Sequence, residues 1–275
     1  MSMDHLMDDF WENILKEYHE MDNLSFDKEG DFIQETVKRF RGKSTHSAAG
    51  SVTTTARSVH QSPRVRYDLD NGKTVTRELA DILYVVNSNY PSGSHKTRAM
   101  LSQAKFAKSP PSWDIDLYQY DLIHRLPEFT VVSPRTYEDF DLSSLNHTSF
   151  ANFVMASRFS DPFYLSSNRM DEAVSNYNLA TDNATFNPDR YHSDPKPTPY
   201  EYSKSILKRL VRRTYGQRVR AGTEIDRLID HLYDIVDGSY TTKSKPRTDG
   251  GFDETDDPAT FAIIEIDVQL DQYLE

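Results

Sequence analysis

The chain has 275 residues, 43 Asp plus Glu against 32 Lys plus Arg, no cysteine and a formal net charge of −11. Without cysteine, disulfides and thiolate metal sites are excluded, and without a run of roughly 20 apolar residues a helical membrane span is not expected. Hydrophobic residues make up 37% and the mean hydropathy is −0.70, so the core is modest and much of the chain lies on surfaces or in loops. There are 29 Asp against 14 Glu and 19 Arg against 13 Lys. This Asp and Arg surplus suggests a halophilic composition, and the acidic N-terminus, without a basic-then-apolar signal design, suggests a cytoplasmic protein. An acidic total argues against a wrapping nucleic-acid binder, but not against a locally basic channel.

In chain order, Leu6, Phe10, Ile14, Leu15 and Tyr18 fall near helical spacing, predicting an amphipathic helix over residues 4–21. A second helix is predicted from Asp27 to Arg41, with Phe32, Ile33, Val37 and Phe40 on one face and Asp27 as its cap. Residues 42–62 are small and polar and predict a mobile loop carrying His46 and His60. A strand at 64–70 precedes Asn71-Gly72, a two-residue hairpin signal. The stretch 75–106 then reads as two apolar strands joined by a polar loop.

The first of these strands carries Asp81 inside LADILYVV, and the second ends in Leu101-Ser102-Gln103-Ala104-Lys105. A carboxylate among apolar neighbours must be hydrated, paired or bound to a cation. Alternation places Gln103 and Lys105 on one side of their strand. A hard cation such as Mg²⁺ takes oxygen ligands of the kind Asp81 and the Gln103 amide offer. Lys105 could orient or deprotonate water, or steady charge on phosphorus. The same spacing also suits a plain Asp81–Lys105 ion pair. Glu78, three residues before Asp81, faces the other way in a regular strand and joins the metal only through a bulge or twist.

Farther on, residues 113–125 predict a helix carrying Gln119, Glu128–Val132 a short strand, 148–158 and 169–177 short helices, and 181–200 a surface loop. Tyr200–Tyr215 and Thr223–Val236 predict late helices, and Phe261–Val268 a strand. Between Lys204 and Arg220 lies a basic run whose Lys208, Arg212 and Arg213 are candidates for phosphate contact, a run equally able to be a solvated face. Glu265 and Asp267 share one side of the last strand. Metalloprotease, zinc-ribbon, dinucleotide and P-loop motifs are absent.

The order helix, hairpin, strand, helix, strand, with Asp81 on the second strand and Gln103-Ala104-Lys105 on the third, resembles the PD-(D/E)xK nuclease superfamily. Ala80 stands where the family name has Pro, and Gln103 where it has an acid. The resemblance covers roughly residues 27–134. It implies an α/β, restriction endonuclease-like core there, after an N-terminal helix (1–26) and before a C-terminal helical extension whose late strand packs on the core (135–275). It further implies hydrolysis of DNA phosphodiesters with Mg²⁺ or Mn²⁺, in restriction or defence against foreign DNA, and a possible homodimer. The implied site is Asp81, Gln103 and Lys105 with a helix carboxylate from Glu29 or Glu35. Asp81, Gln103 and Glu78 are the candidate metal ligands, and Gln119 is a candidate phosphate contact. Gln103 removes one negative charge, so a catalytically inactive nuclease-fold protein that binds DNA or a protein is the alternative.

Overall fold

The computed structural model describes residues 3–10, 12–13, 28–107, 112–133, 137–145, 147–157, 162–167, 170, 174–178, 182–186, 209–211, 215–238 and 260–271. Among these, 49% lie in strands and 27% in helices. The fold is therefore mostly β. It corrects the expectation of an α/β restriction endonuclease-like core with helical additions.

The main sheet has eight strands and is mixed. Its path is β1 (Lys43–Ser47), β2 (Gly50–Val59), β15 (Phe261–Leu270), β5 (Ile82–Asn89), β6 (His95–Ala107), β10 (Ala151–Ser157) and β11 (Phe163–Ser166), with β14 (Gln217–Val219) also paired to β6. β15 runs antiparallel to β2 and parallel to β5, and β10 runs parallel to β6. A four-stranded sheet is ordered β4 (Thr74–Glu78), β3 (Arg64–Asp68), β8 (Phe129–Ser133), β9 (Glu138–Phe140). A three-stranded sheet is ordered β12 (Val174–Asn178), β13 (Asn183–Phe186), β7 (Trp113–Asp116). Among the described residues the helices are α1 (Met3–Phe10), α2 (Glu29–Phe40), α3 (Leu117–Arg125), α4 (His147–Phe150) and α5 (Glu224–Asp237).

Alternation along the main strands divides the core in two. Ile82, Tyr84 and Val86 of β5 join Ala262, Ile264 and Ile266 of β15 in packing with Leu6 and Phe10 of α1 and Phe32, Ile33, Val37 and Phe40 of α2. Leu83 and Val85, with Phe261 and Ile263, face the opposite way, toward Leu122 of α3, Leu228 and Leu232 of α5, and Val65 and Val131 of the four-stranded sheet. A strand buried on both faces reads as a continuous apolar run, as ILYVV and FAIIEI do.

Three departures explain the shift toward β. Residues 42–62, expected as a loop, form the β1–β2 hairpin, whose inward positions are Thr45, Val52, Thr54 and Ala56. β-branched threonine suits a pleated strand, but its hydroxyl hides the alternation from a hydrophobicity reading. Thr54 satisfies that hydroxyl by donating to the Phe40 carbonyl at the end of α2. Residues 148–158, expected as a helix, are mostly β10, buried at every position. Residues 113–125, expected as one helix, divide into β7 and α3 at Asp116.

β15 lies in the middle of the main sheet, so a boundary at residue 134 would cut that sheet apart. The predicted helix over 4–21 is described as α1 only to Phe10, and most of the 200–215 helix lies outside the described residues. The cap of α2 is Lys28, and Asp27 lies outside the described residues. The hairpin at Asn71-Gly72 forms, closed by the Leu69 amide on the Lys73 carbonyl (3.0 Å), with Gly72 at φ +78° in the left-handed region that favours glycine. No described helix is long and apolar enough to cross a membrane.

Candidate active site

The stretch expected as one strand from Val75 to Asn87 is two strands in two sheets. β4 ends at Glu78, β5 begins at Ile82, and Leu79-Ala80-Asp81 make the crossing. Asp81 is therefore not a mid-strand residue. Its backbone is locked on both sides: its amide donates to the Ser102 carbonyl of β6 (3.1 Å), and its carbonyl accepts from Ala262 of β15 (2.8 Å). Both Leu79 and Ala80 are fully buried and anchor the crossing.

Because Ile82 pairs with Ser102, the carboxylate of Asp81 meets β6 beside Gln103. Asp81 Oδ2 accepts from Gln103 Nε2 and from the Ala104 amide, the latter at 2.7 Å. Both Asp81 and Gln103 are buried, and among the described residues Gln103 Oε1 has no hydrogen-bond partner. The amide thus gives its N–H to the carboxylate and leaves a bare oxygen beside it. An ionised glutamate at position 103 could not donate to Asp81 in that way.

Lys105 completes the group. Its Nζ lies 3.6 Å from Glu29 Oε2, on the first residue of α2, with side-chain exposures of 13% and 32%. Glu29 is the helix carboxylate that reaches the site. Glu35 is turned away, held by Arg39 Nε (3.0 Å) and Lys38 Nζ (3.3 Å) on its own helix.

The electrostatics follow from burial. Asp81 is held well above the usual carboxylate range, first by desolvation and then by repulsion from Glu29 and Glu78; Lys105 and the Ala104 amide oppose this only in part. Glu29 is also raised by burial, against the pull of Lys105. Burial acts to lower Lys105, but attraction from Glu29, Asp81, Glu78 and Asp116 outweighs it, and its proton is held more tightly than usual. Glu78, expected to face away, acts electrostatically on both Asp81 and Lys105.

Asp116 adds a weaker attraction on Lys105 from outside the group. It caps α3 by accepting from the Gln119 amide (2.9 Å) and pairs with Arg77 Nε (2.8 Å). Its position just before LYQYDLIHR is an N-cap signal, but nothing in the sequence ties it to Lys105. Gln119 itself is buried and does not present an amide on the surface for a phosphate. The nucleic-acid candidates Lys208, Arg212 and Arg213 lie outside the described residues. His46 and His60 are exposed on β1 and just past β2. Glu265 and Asp267 have separate partners, Arg57 and Asn87.

Whether a divalent cation suits this site turns on the donor set. Among the described residues no group of three or more His, Asp or Glu side chains is placed to hold a metal alone. Mg²⁺ needs no such cage, since one or two carboxylates with water in the remaining positions satisfy it. The partnerless Gln103 Oε1 is a hard neutral oxygen beside a buried carboxylate that lacks full compensation. That combination fits a cation.

No protein-family model, curated protein or solved structure matches the chain.

Proposed function

We propose that this protein is a divalent-metal-dependent nuclease that hydrolyses phosphodiester bonds in DNA at Asp81, Gln103, Lys105 and Glu29. One observation carries the reading: a buried carboxylate is bonded to a glutamine whose amide oxygen has no partner among the described residues, two positions along the strand from a lysine paired with a helix carboxylate. The likeness to PD-(D/E)xK nucleases is one of residues and their roles, and it supports the reading through the site rather than through the fold. Defence against foreign DNA, in the cytoplasm, is the setting that likeness implies.

Asp81 and the Gln103 amide oxygen would hold Mg²⁺ or Mn²⁺, with Glu78 and Glu29 contributing charge around it. When bound, such an ion supplies Lewis-acid stabilisation of the phosphate oxygens. The remaining chemistry belongs to the chain. Lys105 keeps its proton at neutral pH, so it serves as a fixed positive charge against the negative charge that grows on phosphorus, not as the base. Glu29 is a third exposed and has a raised proton affinity, the property a general base near neutrality needs. It takes the proton of the attacking water as the new P–O bond forms. The opposite P–O bond breaks, and the departing oxygen is protonated from solvent.

The test is incubation of the protein with plasmid DNA, single-stranded DNA and RNA at low and high salt, with Mg²⁺, Mn²⁺ or a chelator. Cleavage of DNA with either metal and none with chelator is expected. DNA binding without cleavage would favour an inactive binding module, and cleavage of RNA alone would reassign the substrate. The Mg²⁺ response also has a defined pH dependence. Asp81 must lose its tightly held proton for the cation to bind, so Mg²⁺ affinity should rise with pH, with proton release that calorimetry in buffers of different ionisation enthalpy detects.

A further inference from the structure

The candidate hydrolytic group is shut in. Asp81 is 1% exposed and Gln103 0%, and Gln103 stands beside the buried Phe153 of β10. A cation or a phosphate therefore reaches them only when something moves. Exposure rises outward through the Lys105 side chain, at 13%, to that of Glu29, at 32%. The Lys105–Glu29 pair thus stands at the mouth of the group. Lys105 belongs to a central strand of the main sheet, whereas Glu29 belongs to the first turn of α2.

That turn is weakly held. Lys28 occupies the N-cap position and gives the turn no side-chain hydrogen bond, because an ammonium has no acceptor to offer. The hydrogen bond from the Phe32 amide to the Lys28 carbonyl is 3.4 Å long, against about 3 Å in an ordinary amide pair. Gly30 sits inside the turn although nothing in its conformation requires glycine. Its φ is not positive, and among the described residues an added Cβ would meet only Thr260 Oγ1, at 3.6 Å, an ordinary contact. Glycine at a helical position loosens the helix. Lys28 is exposed and Glu29, Gly30 and Asp31 are half-buried. From Phe32 onward the helix is anchored, with Phe32, Ile33, Thr36, Val37 and Phe40 buried and Thr36 Oγ1 donating to the Phe32 carbonyl (2.9 Å). Two things hold the turn closed. Glu29 and Asp31 suit the positive end of the helix dipole, and Glu29 meets Lys105 at 3.6 Å, longer than a hydrogen bond.

We infer that the first turn of α2 is the gate of this site. Residues 28–31 unwind as far as the Phe32 anchor, Glu29 leaves Lys105, and the way to Asp81 and the Gln103 oxygen opens. The inference rests on the reading of this group as the hydrolytic site. The division of labour is physical: Asp81, Gln103 and Lys105 stay fixed on the sheet, and the base is carried by the moving element. Opening uncovers no buried side chain of α2 and breaks two helical hydrogen bonds, those of the Phe32 and Ile33 amides. Closure returns Glu29 to Lys105 and shields the group from water.

The test is acetylation of the full-length protein by limiting acetic anhydride, without metal or DNA, with the Lys105 peptide quantified by mass spectrometry. Nζ must leave Glu29 and lose its proton before it attacks the anhydride carbonyl and acetate departs, so the rate follows the open population. Gly30→Ala should slow acetylation of Lys105 about two- to fivefold, the usual effect of removing a helical glycine. Hydrogen exchange of the Phe32 and Ile33 amides should slow by the same factor. Lys28→Ser, which supplies the missing cap, should act in the same direction without touching Thr260. Asp230→Ala relieves repulsion from Asp226 and Asp234 on α5, so it should raise the melting temperature and leave acetylation of Lys105 as it was. Unchanged acetylation in both α2 variants overturns the gate. Equal slowing in Asp230→Ala also overturns it, because Lys105 would then be reached through global unfolding. Mg²⁺-dependent cleavage should fall by the same factor as acetylation. Slowed acetylation in a protein that never cleaves keeps the gate and removes the hydrolytic reading. Cleavage with unchanged acetylation does the reverse.

Discussion

Replacing Lys105 with Met is expected to lower metal-dependent DNA cleavage by about 10²–10³-fold, the usual loss when one preorganised charge aimed at the transition state is removed. The same change should destabilise the fold. Lys105 pairs with Glu29 and is the positive charge that offsets the repulsion among Glu29, Asp81 and Glu78. Its folded-state proton affinity is above the ordinary value, so its contribution to stability is fully present below that ordinary value and disappears only as pH rises through the higher folded one. At pH 7 the contribution is complete. Breaking a fully buried ion pair by removing one partner costs about 3–5 kcal/mol, and the partial exposure of Glu29 reduces this to about 2–3 kcal/mol. In the variant the carboxylates repel without compensation, so the deficit should be greatest at pH 8. It should shrink as pH falls and the raised carboxyls take up protons. Paired urea denaturation curves at pH 5.5 and 8 check the sign.

Deleting residues 259–275 should abolish folding altogether. β15 is the strand between β2 and β5, and its Phe261, Ile263, Ile264, Ile266, Val268 and Leu270 are buried. Six such side chains represent about 10 kcal/mol or more of apolar burial at about 1.5–3 kcal/mol each, against a total stability of about 5–15 kcal/mol for a domain. The deletion also leaves two long ladders of backbone groups unpaired, and it frees the Asp81 carbonyl that Ala262 holds. The shortened chain should show no cooperative thermal transition by circular dichroism. A cooperative transition near that of the full chain would mean that β15 is not an internal strand.

The site was more legible in the sequence than the fold that carries it. Asp81, Gln103 and Lys105 stood out because a carboxylate, an amide and an ammonium are costly among apolar strand residues, and that cost does not depend on topology. The Asn71-Gly72 turn, the last strand and α5 were legible for similarly local reasons. What the sequence concealed depended on distant partners. Leu79-Ala80 continues the apolar pattern of its neighbours, so the crossing from one sheet to another reads as one long strand. The Thr-rich inward face of β2 reads as a polar loop. β10, buried on both faces, has no period that separates it from a helix. Glu29 and Glu35 lie on one helix, and only the position of its first turn beside Lys105 distinguishes them. Asp116 lies on a strand whose partner residue, Asn183, is 67 positions farther along the chain.

Under the proposed reading, Gln103 is where the candidate site departs most from an all-acid metal centre. Its N–H side compensates Asp81, and its buried oxygen has no hydrogen-bond partner among the described residues. Glu29 and Glu78 supply around the site the negative charge that Gln103 does not. An additional acid at 103 would add a carboxylate to a group that already raises the proton affinity of Asp81.

The central claim is that Asp81 is a catalytic carboxylate held at a cost to stability. The most direct measurement compares Mg²⁺-dependent plasmid cleavage by the wild-type protein and by Asp81→Asn, with melting temperatures recorded on the same samples without metal. Because the folded-state proton affinity of Asp81 is raised, its ionised form at neutral pH opposes folding, and the isosteric amide removes that penalty. The expected result is loss of cleavage together with a metal-free melting temperature equal to or above that of the wild type at pH 7.5. Asp81→Asn protein that cleaves plasmid at the wild-type rate would contradict the account.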